Sequence, residues 1–154
     1  MGSIVPLNFP KSKLELFQQD DIIYVQCIIR KKRIVLTPEE WVRQHVVHFL
    51  IQERNFPLSM VVVEKSIRYN GLIKRWDIIA YNSALKPMLL IECKRTTVPI
   101  DSSTLHQAAA YQKIVQSEKI ILTNGLQIEV IDPSINFEVK SGLEAIPFYT
   151  SNSH

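Results

Sequence analysis

The sequence has few glycines and lacks long apolar runs. Glycine stands only at positions 2, 71, 125 and 142. The chain therefore has neither a Walker-type phosphate loop nor a Gly-x-Gly-x-x-Gly cradle, because both need closely spaced glycines. No apolar stretch reaches the roughly 18 residues that a membrane-spanning helix needs. We expect no nucleotide cofactor and no membrane partner.

Cysteine is also scarce, and neither sign of charge is in large excess. Cys27 and Cys93 do not form a Cys-x-x-Cys pair, which is typical of a cytoplasmic protein with free thiols. The N-terminus lacks the basic and apolar segments of a signal peptide, and Pro6 interrupts it early. The net charge of +3 permits an acidic partner without requiring one.

The basic residues are unevenly distributed along the chain. Residues 71–113 become clearly electropositive if a metal ion neutralises the carboxylates in this segment, which is rich in lysine and arginine. A second basic cluster, Arg30–Arg33, either follows the phosphates of a nucleic acid or forms a solvated turn between two strands. The solvated turn is the simpler interpretation of this cluster.

The length of 154 residues is enough for one domain with a proper hydrophobic core. We predict a single domain over residues 1–154, with its core at about 20–131 and with poorly anchored ends at 1–12 and 141–154. Apolar strands at 21–29 and 33–36 predict a short N-terminal β-hairpin.

A capped helix and a run of strands follow the hairpin. Thr37, Pro38 and Glu40 form a capping box with proline at the first helical position, so a helix is predicted to about residue 53. Strands are predicted at 58–69, 72–81 and 88–94, the first two joined by an Asn-Gly turn. A second helix over about 101–116 and strands at 119–123 and 126–131 complete an αβββαβ order. This order predicts an α/β fold with a mixed central sheet flanked by helices.

The second and third of the three consecutive strands carry the most informative residues. Asp77 lies on one apolar run, and Glu92-Cys93-Lys94 ends the next. Because side chains alternate along a strand, Glu92 and Lys94 share a face. Asp77 and Glu92 are candidate ligands for Mg²⁺, which prefers oxygen donors, and Lys94 is placed to orient a metal-activated water or to stabilise a phosphoryl transition state. Cross-strand ion pairs on a solvated sheet face are the alternative.

Four further residues are candidates for a supporting role. Glu40 either serves the same site or only caps its helix. Arg75 holds Asp77 ionised, contacts a phosphate or forms a simple ion pair. Gln107 and Tyr111 are four residues apart on the second helix, so they share a face. They either bind phosphate oxygens or form a polar flank of the helix.

Together these motifs resemble a known family. The chain from about residue 20 to 131 resembles the nuclease domain at the N-terminus of type I restriction enzyme R subunits, and more broadly the PD-(D/E)xK phosphodiesterase superfamily. The motifs that carry the resemblance are Leu36–Gln44, Arg75–Asp77, Glu92–Lys94, Gln107–Tyr111 and Thr123–Gly125. Trp76 departs from the superfamily, which has proline before the first acidic residue.

The resemblance implies a restriction-endonuclease-like fold, DNA as the substrate and Mg²⁺, or Mn²⁺ in its place, as the cofactor. The implied roles are metal binding by Asp77 and Glu92, catalysis by Lys94, support of the metal site by Glu40, and assistance at the DNA by Gln107 and Tyr111. R subunits continue into an ATP-driven translocase, whereas this chain ends at His154. We therefore expect no translocation-coupled restriction from this chain alone.

Two hypotheses follow for the function. The first is an Mg²⁺-dependent DNA endonuclease-like domain that hydrolyses phosphodiester bonds through a metal-activated water. The second is a nucleic-acid-binding or interaction module that keeps the nuclease fold and does not cleave. The complete set of Asp77, Glu92 and Lys94 favours the first. A double-strand cut requires two active sites, which is compatible with a homodimer or a partner subunit.

Overall fold

A computed structural model describes residues 4–112 and 116–150, without the side chains of Tyr69 and Tyr111. In these residues helix α1 spans Pro38–Glu53 and helix α2 spans Ser102–Gln112. The strands are β1 (Leu16–Gln19), β2 (Ile22–Cys27), β3 (Lys32–Val35), β4 (Val61–Tyr69), β5 (Leu72–Tyr81), β6 (Pro87–Cys93), β7 (Lys119–Thr123), β8 (Ile128–Asp132) and β9 (Glu138–Ser141). Neither helix in this part of the chain is long and apolar enough to cross a membrane.

The order α1-β4-β5-β6-α2-β7 confirms the predicted αβββαβ core. The strands from β4 to β9 form one six-stranded sheet in sequential order. Its neighbours are antiparallel except β6 and β7, which run parallel because α2 crosses over between them. The sheet is therefore mixed, as predicted. The predicted N-terminal hairpin is β2–β3, and the structure adds β1 to make a separate three-stranded sheet.

Short-range chemistry fixes the helix starts and the tight turn. The Thr37 hydroxyl accepts a hydrogen bond from the Glu40 backbone N–H at 3.0 Å, which makes Thr37 the N-cap of α1. Asp101 caps α2 by accepting from the Thr104 N–H at 3.1 Å. Asn70 and Gly71 both have positive φ, at 47° and 80°, as a type I′ turn between β4 and β5 requires. These local signals are the ones that the sequence carries most clearly.

Hydrophobic cores lie on both faces of the six-stranded sheet. On one face, α1 packs against the sheet in a core that includes Val46, Leu50 and Ile78. On the other face, Ala108 of α2 packs in a core that includes Ile79. Each large aliphatic side chain that is fully buried contributes about 1.5–3 kcal/mol to folding. The sheet is thus held between two helices, one on each face. A site at the edge of the sheet can therefore receive side chains from either helix.

The described parts of the two ends, residues 4–12 and 141–150, contain anchored side chains, which differs there from the prediction of poor anchoring. Phe9 and Ile146 are 8% and 2% exposed, and both belong to the core on the α1 face. Arg54 Nε donates to the Ile146 carbonyl at 2.7 Å, and the Arg54 guanidinium stacks on Phe148. These anchors are single apolar residues in irregular backbone, so no periodic pattern marks them in the sequence. The predicted end of α2 near residue 116 falls next to residues 113–115, which lie outside the described residues.

Candidate active site

The candidate site lies where β5 and β6 separate. The ladder between these strands includes Ile79↔Leu90 and runs to Ile78↔Ile91. The next positions, Asp77 and Glu92, flank the end of this ladder and do not form a pair in it. The Asp77 Oδ2 atom accepts a hydrogen bond from the Cys93 backbone N–H at 2.8 Å. This bond holds the Asp77 carboxylate beside the backbone of the residue that follows Glu92.

A local irregularity in β4 sets the direction of Asp77. The ladder between β4 and β5 pairs Val63↔Ile78 and Lys65↔Trp76, while Glu64, with a φ of 53°, is not paired. Beyond this point the alternation of side chains changes, since Trp76 lies in the α2-side core together with Ile79. Asp77 instead reaches a side chain of α1. The two candidate carboxylates therefore face different neighbours.

Arg43 of α1 is the ionic partner of Asp77. Its Nη2 atom lies 3.0 Å from Asp77 Oδ1 and 2.8 Å from Glu39 Oε1, and its Nη1 atom lies 2.5 Å from Glu40 Oε1. The Arg43 side chain is only 7% exposed. Burial by itself lowers the pKa of Arg43, but the charges of Glu40 and Asp77 outweigh it and raise the pKa above its usual value. Arg43 is thus a permanent buried cation at the site.

Glu40 is a buried acceptor rather than an open carboxylate. It is 3% exposed and accepts hydrogen bonds from Arg43 at 2.5 Å, from Arg30 at 2.8 Å and from Gln44 at 2.9 Å. Thr37 supplies its half of the predicted capping box, whereas the Glu40 side chain points to these three donors. Glu40 is therefore linked to Asp77 through Arg43, and any support that it gives to the site passes through that guanidinium.

Glu92 and Lys94 open on the opposite side, toward α2. Glu92 Oε1 lies 2.5 Å from the ammonium of Lys74, a residue that the sequence reasoning did not single out. A cavity of about 80 Å³ is lined by nine residues, among them Lys74, Glu92, Lys94 and Gln107. A water molecule takes up about 30 Å³ in the liquid, so this space suits two or three waters or a small ion with its hydration. The structure thus brings Glu92, Lys94 and Gln107 together as predicted neighbours.

Two predicted supporting residues remain, Arg75 and Tyr111. Arg75 is 60% exposed and forms an ion pair with Glu64. Of the roles considered for Arg75, the structure shows the simple ion pair, and the cationic partner of Asp77 is Arg43 instead. The side chain of Tyr111 lies outside the described residues, although its position on α2 follows Gln107 by one turn.

Glu39 is a further acidic residue near the site. Burial, followed by the charge of Asp77, raises its pKa, while Arg43 and Lys94 oppose this rise. Glu39 thus belongs to the acidic cluster around Arg43, to which it is bonded at 2.8 Å. The spacing of Glu39 and Glu40 to Arg43, four and three residues along one helix, is a signal in the sequence for this cluster. Lys74 has no such signal, because its contact with Glu92 depends on how β5 bends.

The donor set fits a magnesium-type site better than a transition-metal site. Within the described residues no group of three or more His, Cys, Asp or Glu side chains is placed to hold a metal ion. The available donors are the carboxylates of Asp77, which bonds Arg43 on the α1 side, and of Glu92, which bonds Lys74 in the cavity on the α2 side. Mg²⁺ commonly takes one or two protein carboxylates and retains several waters. Two carboxylates of the kind that Mg²⁺ binds are thus present, and each is bonded to a protein cation.

Comparisons with known proteins indicate a single family. Residues 38–147 match the family described as the type I restriction enzyme R protein N terminus (HSDR_N). A fragment structure of a putative HsdR subunit of a type I restriction enzyme from Vibrio vulnificus YJ016 has a similar fold, with 17% sequence identity and a TM-score of 0.50. That similarity covers 69% of this chain and 23% of the other. No curated protein matches the sequence.

Proposed function

The chain belongs to the family of the type I restriction enzyme R protein N terminus, and from this premise we propose that it is an Mg²⁺-dependent nuclease domain acting on DNA. One observation carries the proposal. Asp77 and Glu92 are the residues next to the last pair of the β5–β6 ladder, and Lys94 and Gln107 line the same cavity as Glu92. Two carboxylates beside a lysine are the groups that metal-assisted phosphodiester hydrolysis requires.

Each residue has a chemical task in this proposal. Asp77 and Glu92 would hold Mg²⁺, or Mn²⁺ in its place, which when bound supplies a water of lowered pKa and offsets phosphate charge. The Cys93 N–H orients the Asp77 carboxylate. Lys94 would stabilise the negative charge that develops on the phosphate oxygens. Gln107, exposed at the rim of the cavity, would donate to a phosphate oxygen, with Tyr111 one turn further along α2.

Protein cations neutralise both carboxylates in the absence of a metal ion. Arg43 pairs with Asp77 and Lys74 pairs with Glu92. The lysine is the one more easily displaced, because its ammonium sits on a flexible stem, whereas Arg43 is anchored by Glu40 as well. We expect metal binding to move Lys74 away from Glu92 and to leave Arg43 in place.

A cleavage assay tests the proposed function. The purified protein is incubated with supercoiled plasmid and Mg²⁺ or Mn²⁺, and nicked and linear products are measured. Asp77→Ala, Glu92→Ala and Lys94→Ala are each expected to lower the rate at least about 100-fold. Glu129→Ala and Lys86→Ala are matched controls of the same charge on β8 and in the β5–β6 turn, and both should cleave at the wild-type rate. Cleavage that survives all three site substitutions would refute the proposal.

A non-cleaving nucleic-acid-binding module is the second candidate function. The observation that favours it is the pairing of both carboxylates with protein cations, which completes their charge balance without a metal ion. This candidate predicts DNA binding that weakens steeply with salt, and no product in the plasmid assay. Metal-dependent turnover that is lost in the site variants would exclude it.

The related structure is described as part of a subunit of a type I restriction enzyme, and this chain covers 23% of it. We propose accordingly that the domain acts with a partner subunit or as a homodimer. A second copy of the chain is the simplest source of the second active site that a double-strand cut requires. Sedimentation on a DNA duplex, with and without a second site, measures the number of copies bound.

A further inference from the structure

An open groove runs between the N-terminal three-stranded sheet and the start of α1. Its volume is about 800 Å³, and its walls are formed by β2 and β3, by the first turns of α1, by Glu64 of β4 and by Arg95. The groove is distinct from the small cavity that Glu92 and Lys94 line. It therefore offers a larger surface than the candidate metal site itself.

The acidic residues that line the groove are all neutralised from within. Glu39 pairs with Arg43 at 2.8 Å, and Glu40 pairs with Arg30 at 2.8 Å. Glu64 lies 3.4 Å from Arg30 and also pairs with Arg75. Each acidic side chain therefore has an arginine partner, and because the groove is lined by five cationic and three acidic residues, its excess charge is positive.

Three cations of the groove remain after these pairs are formed. Lys32, Arg33 and Arg95 are exposed, and none of them forms an ion pair with a carboxylate of the described residues. The Arg33 guanidinium lies 3.6 Å from the centre of the Phe17 ring. Stacking fixes the plane of a guanidinium and leaves its N–H edge free for a phosphate. The outward field of the groove is thus positive.

The groove leads to the candidate active site. Arg95 directly follows Lys94, so neighbouring residues line the groove and the cavity. Arg43 lines the groove and also bonds Asp77 at 3.0 Å. A polyanionic strand that lies in the groove would therefore pass next to Arg43, the residue that bonds Asp77.

We propose that this groove binds the phosphate backbone of duplex DNA, with Lys32, Arg33 and Arg95 contacting successive phosphates. The proposal rests on the proposed function and adds to it the surface that holds the substrate. It also changes the interpretation of the Arg30–Arg33 cluster. Arg30 is a structural partner of Glu40, while Lys32 and Arg33 face the groove.

The salt dependence of DNA binding tests the groove. Binding of a fluorescent duplex is measured by anisotropy over a range of salt concentrations, with EDTA present to prevent cleavage. The triple variant Lys32→Ala/Arg33→Ala/Arg95→Ala is expected to reduce the slope of log K against log salt by about 2.7, since each phosphate contact contributes about 0.9. The matched control is Lys11→Ala/Lys31→Ala/Lys140→Ala, which removes the same charge from exposed positions outside the groove. Far-UV circular dichroism and thermal unfolding verify that both variants fold.

The outcomes separate the groove from the catalytic proposal. Three results would overturn the proposed groove. They are an unchanged slope in the groove variant, an equal reduction of the slope in the control variant, and a wild-type protein that does not bind DNA. A slope lost only in the groove variant supports it, whether or not the wild-type protein cleaves DNA. Cleavage that depends on Asp77, combined with an unchanged slope, would retain the nuclease and reject the groove.

Discussion

Among single residues, Arg43 and Glu40 connect the candidate site to the rest of the domain. Arg43 bonds Asp77 on one side and Glu40 on the other, and Glu40 in turn accepts from Arg30. Both Arg43 and Glu40 are almost fully buried. A buried charge that loses its partner is costly, because the remaining ion has neither water nor a counter-ion. The direction of Asp77 therefore depends on residues that touch no substrate.

Glu40→Ala is expected to destabilise the protein strongly. The substitution leaves Arg43 and Arg30 without their shared buried carboxylate, so the free energy of unfolding should fall by about 3–5 kcal/mol. Glu39→Ala is the matched control, because Glu39 also pairs with Arg43 but is 44% exposed, and its loss should cost about 0–1 kcal/mol. Urea unfolding measures both changes. Equal costs for the two variants would contradict the structural role of Glu40.

Lys74→Gln is expected to tighten Mn²⁺ binding. The Lys74 ammonium competes with a divalent ion for Glu92, and an ion pair of this kind contributes up to about 1 kcal/mol. The dissociation constant should fall by roughly three- to fivefold. Isothermal titration calorimetry measures the change, with Lys86→Gln in the exposed β5–β6 turn as the control. Weaker binding in Lys74→Gln would mean that Lys74 supports the site instead of competing for it.

Among the secondary-structure elements, those with local signals were predictable from the sequence. The cap of α1 at Thr37 and the turn at Asn70 and Gly71 are set by residues within a few positions of each other. Strand β9 was not predicted, because all four of its residues are exposed and show no apolar alternation. Its place at the edge of the sheet comes from pairing with β8, which is a long-range condition.

The candidate site was predictable in part for the same reason. The hairpin of β5 and β6 puts Asp77 and Glu92 next to the last pair of its ladder, and this placement along the strands followed from the position of the turn. The partners Arg43 and Lys74 did not follow. They depend on the irregularity at Glu64 and on the approach of α1 to the sheet. No periodic pattern in the sequence indicates the positive φ of Glu64.

Gly125→Ala is expected to destabilise the turn between β7 and β8 more than Gly71→Ala destabilises its own turn. Both glycines have positive φ, which costs an alanine about 1–2 kcal/mol. A Cβ at Gly125 would also lie 2.6 Å from Leu7 and 3.2 Å from the buried Val42, whereas a Cβ at Gly71 meets nothing within 4 Å. Overpacking should add about 1–3 kcal/mol at Gly125. Thermal unfolding of the two variants gives the comparison, and a larger cost at Gly71 would contradict it.

For the whole molecule, the separate N-terminal sheet has a role in the site. Arg30, next to the β2–β3 turn, binds Glu40, so the small sheet is fastened to α1 at the helix end nearest Asp77. The groove lies between this sheet and the start of α1, and both Arg30 and Glu40 line it. The contact between Arg43 and Asp77 and the basic groove therefore lie on the α1 side of the six-stranded sheet, while Glu92 faces α2. The central claim is that Asp77 and Glu92 jointly hold a divalent cation at this place.

A Mn²⁺ soak of crystals of the wild-type protein, with anomalous diffraction recorded, tests this claim most directly. The account predicts an anomalous peak at metal–oxygen bonding distance from an oxygen of Asp77 and from an oxygen of Glu92, with the Lys74 ammonium moved off Glu92 and Arg43 still bound to Glu40. Soaked crystals with no ion bonded to both carboxylates, and with Lys74 still paired to Glu92, would contradict it.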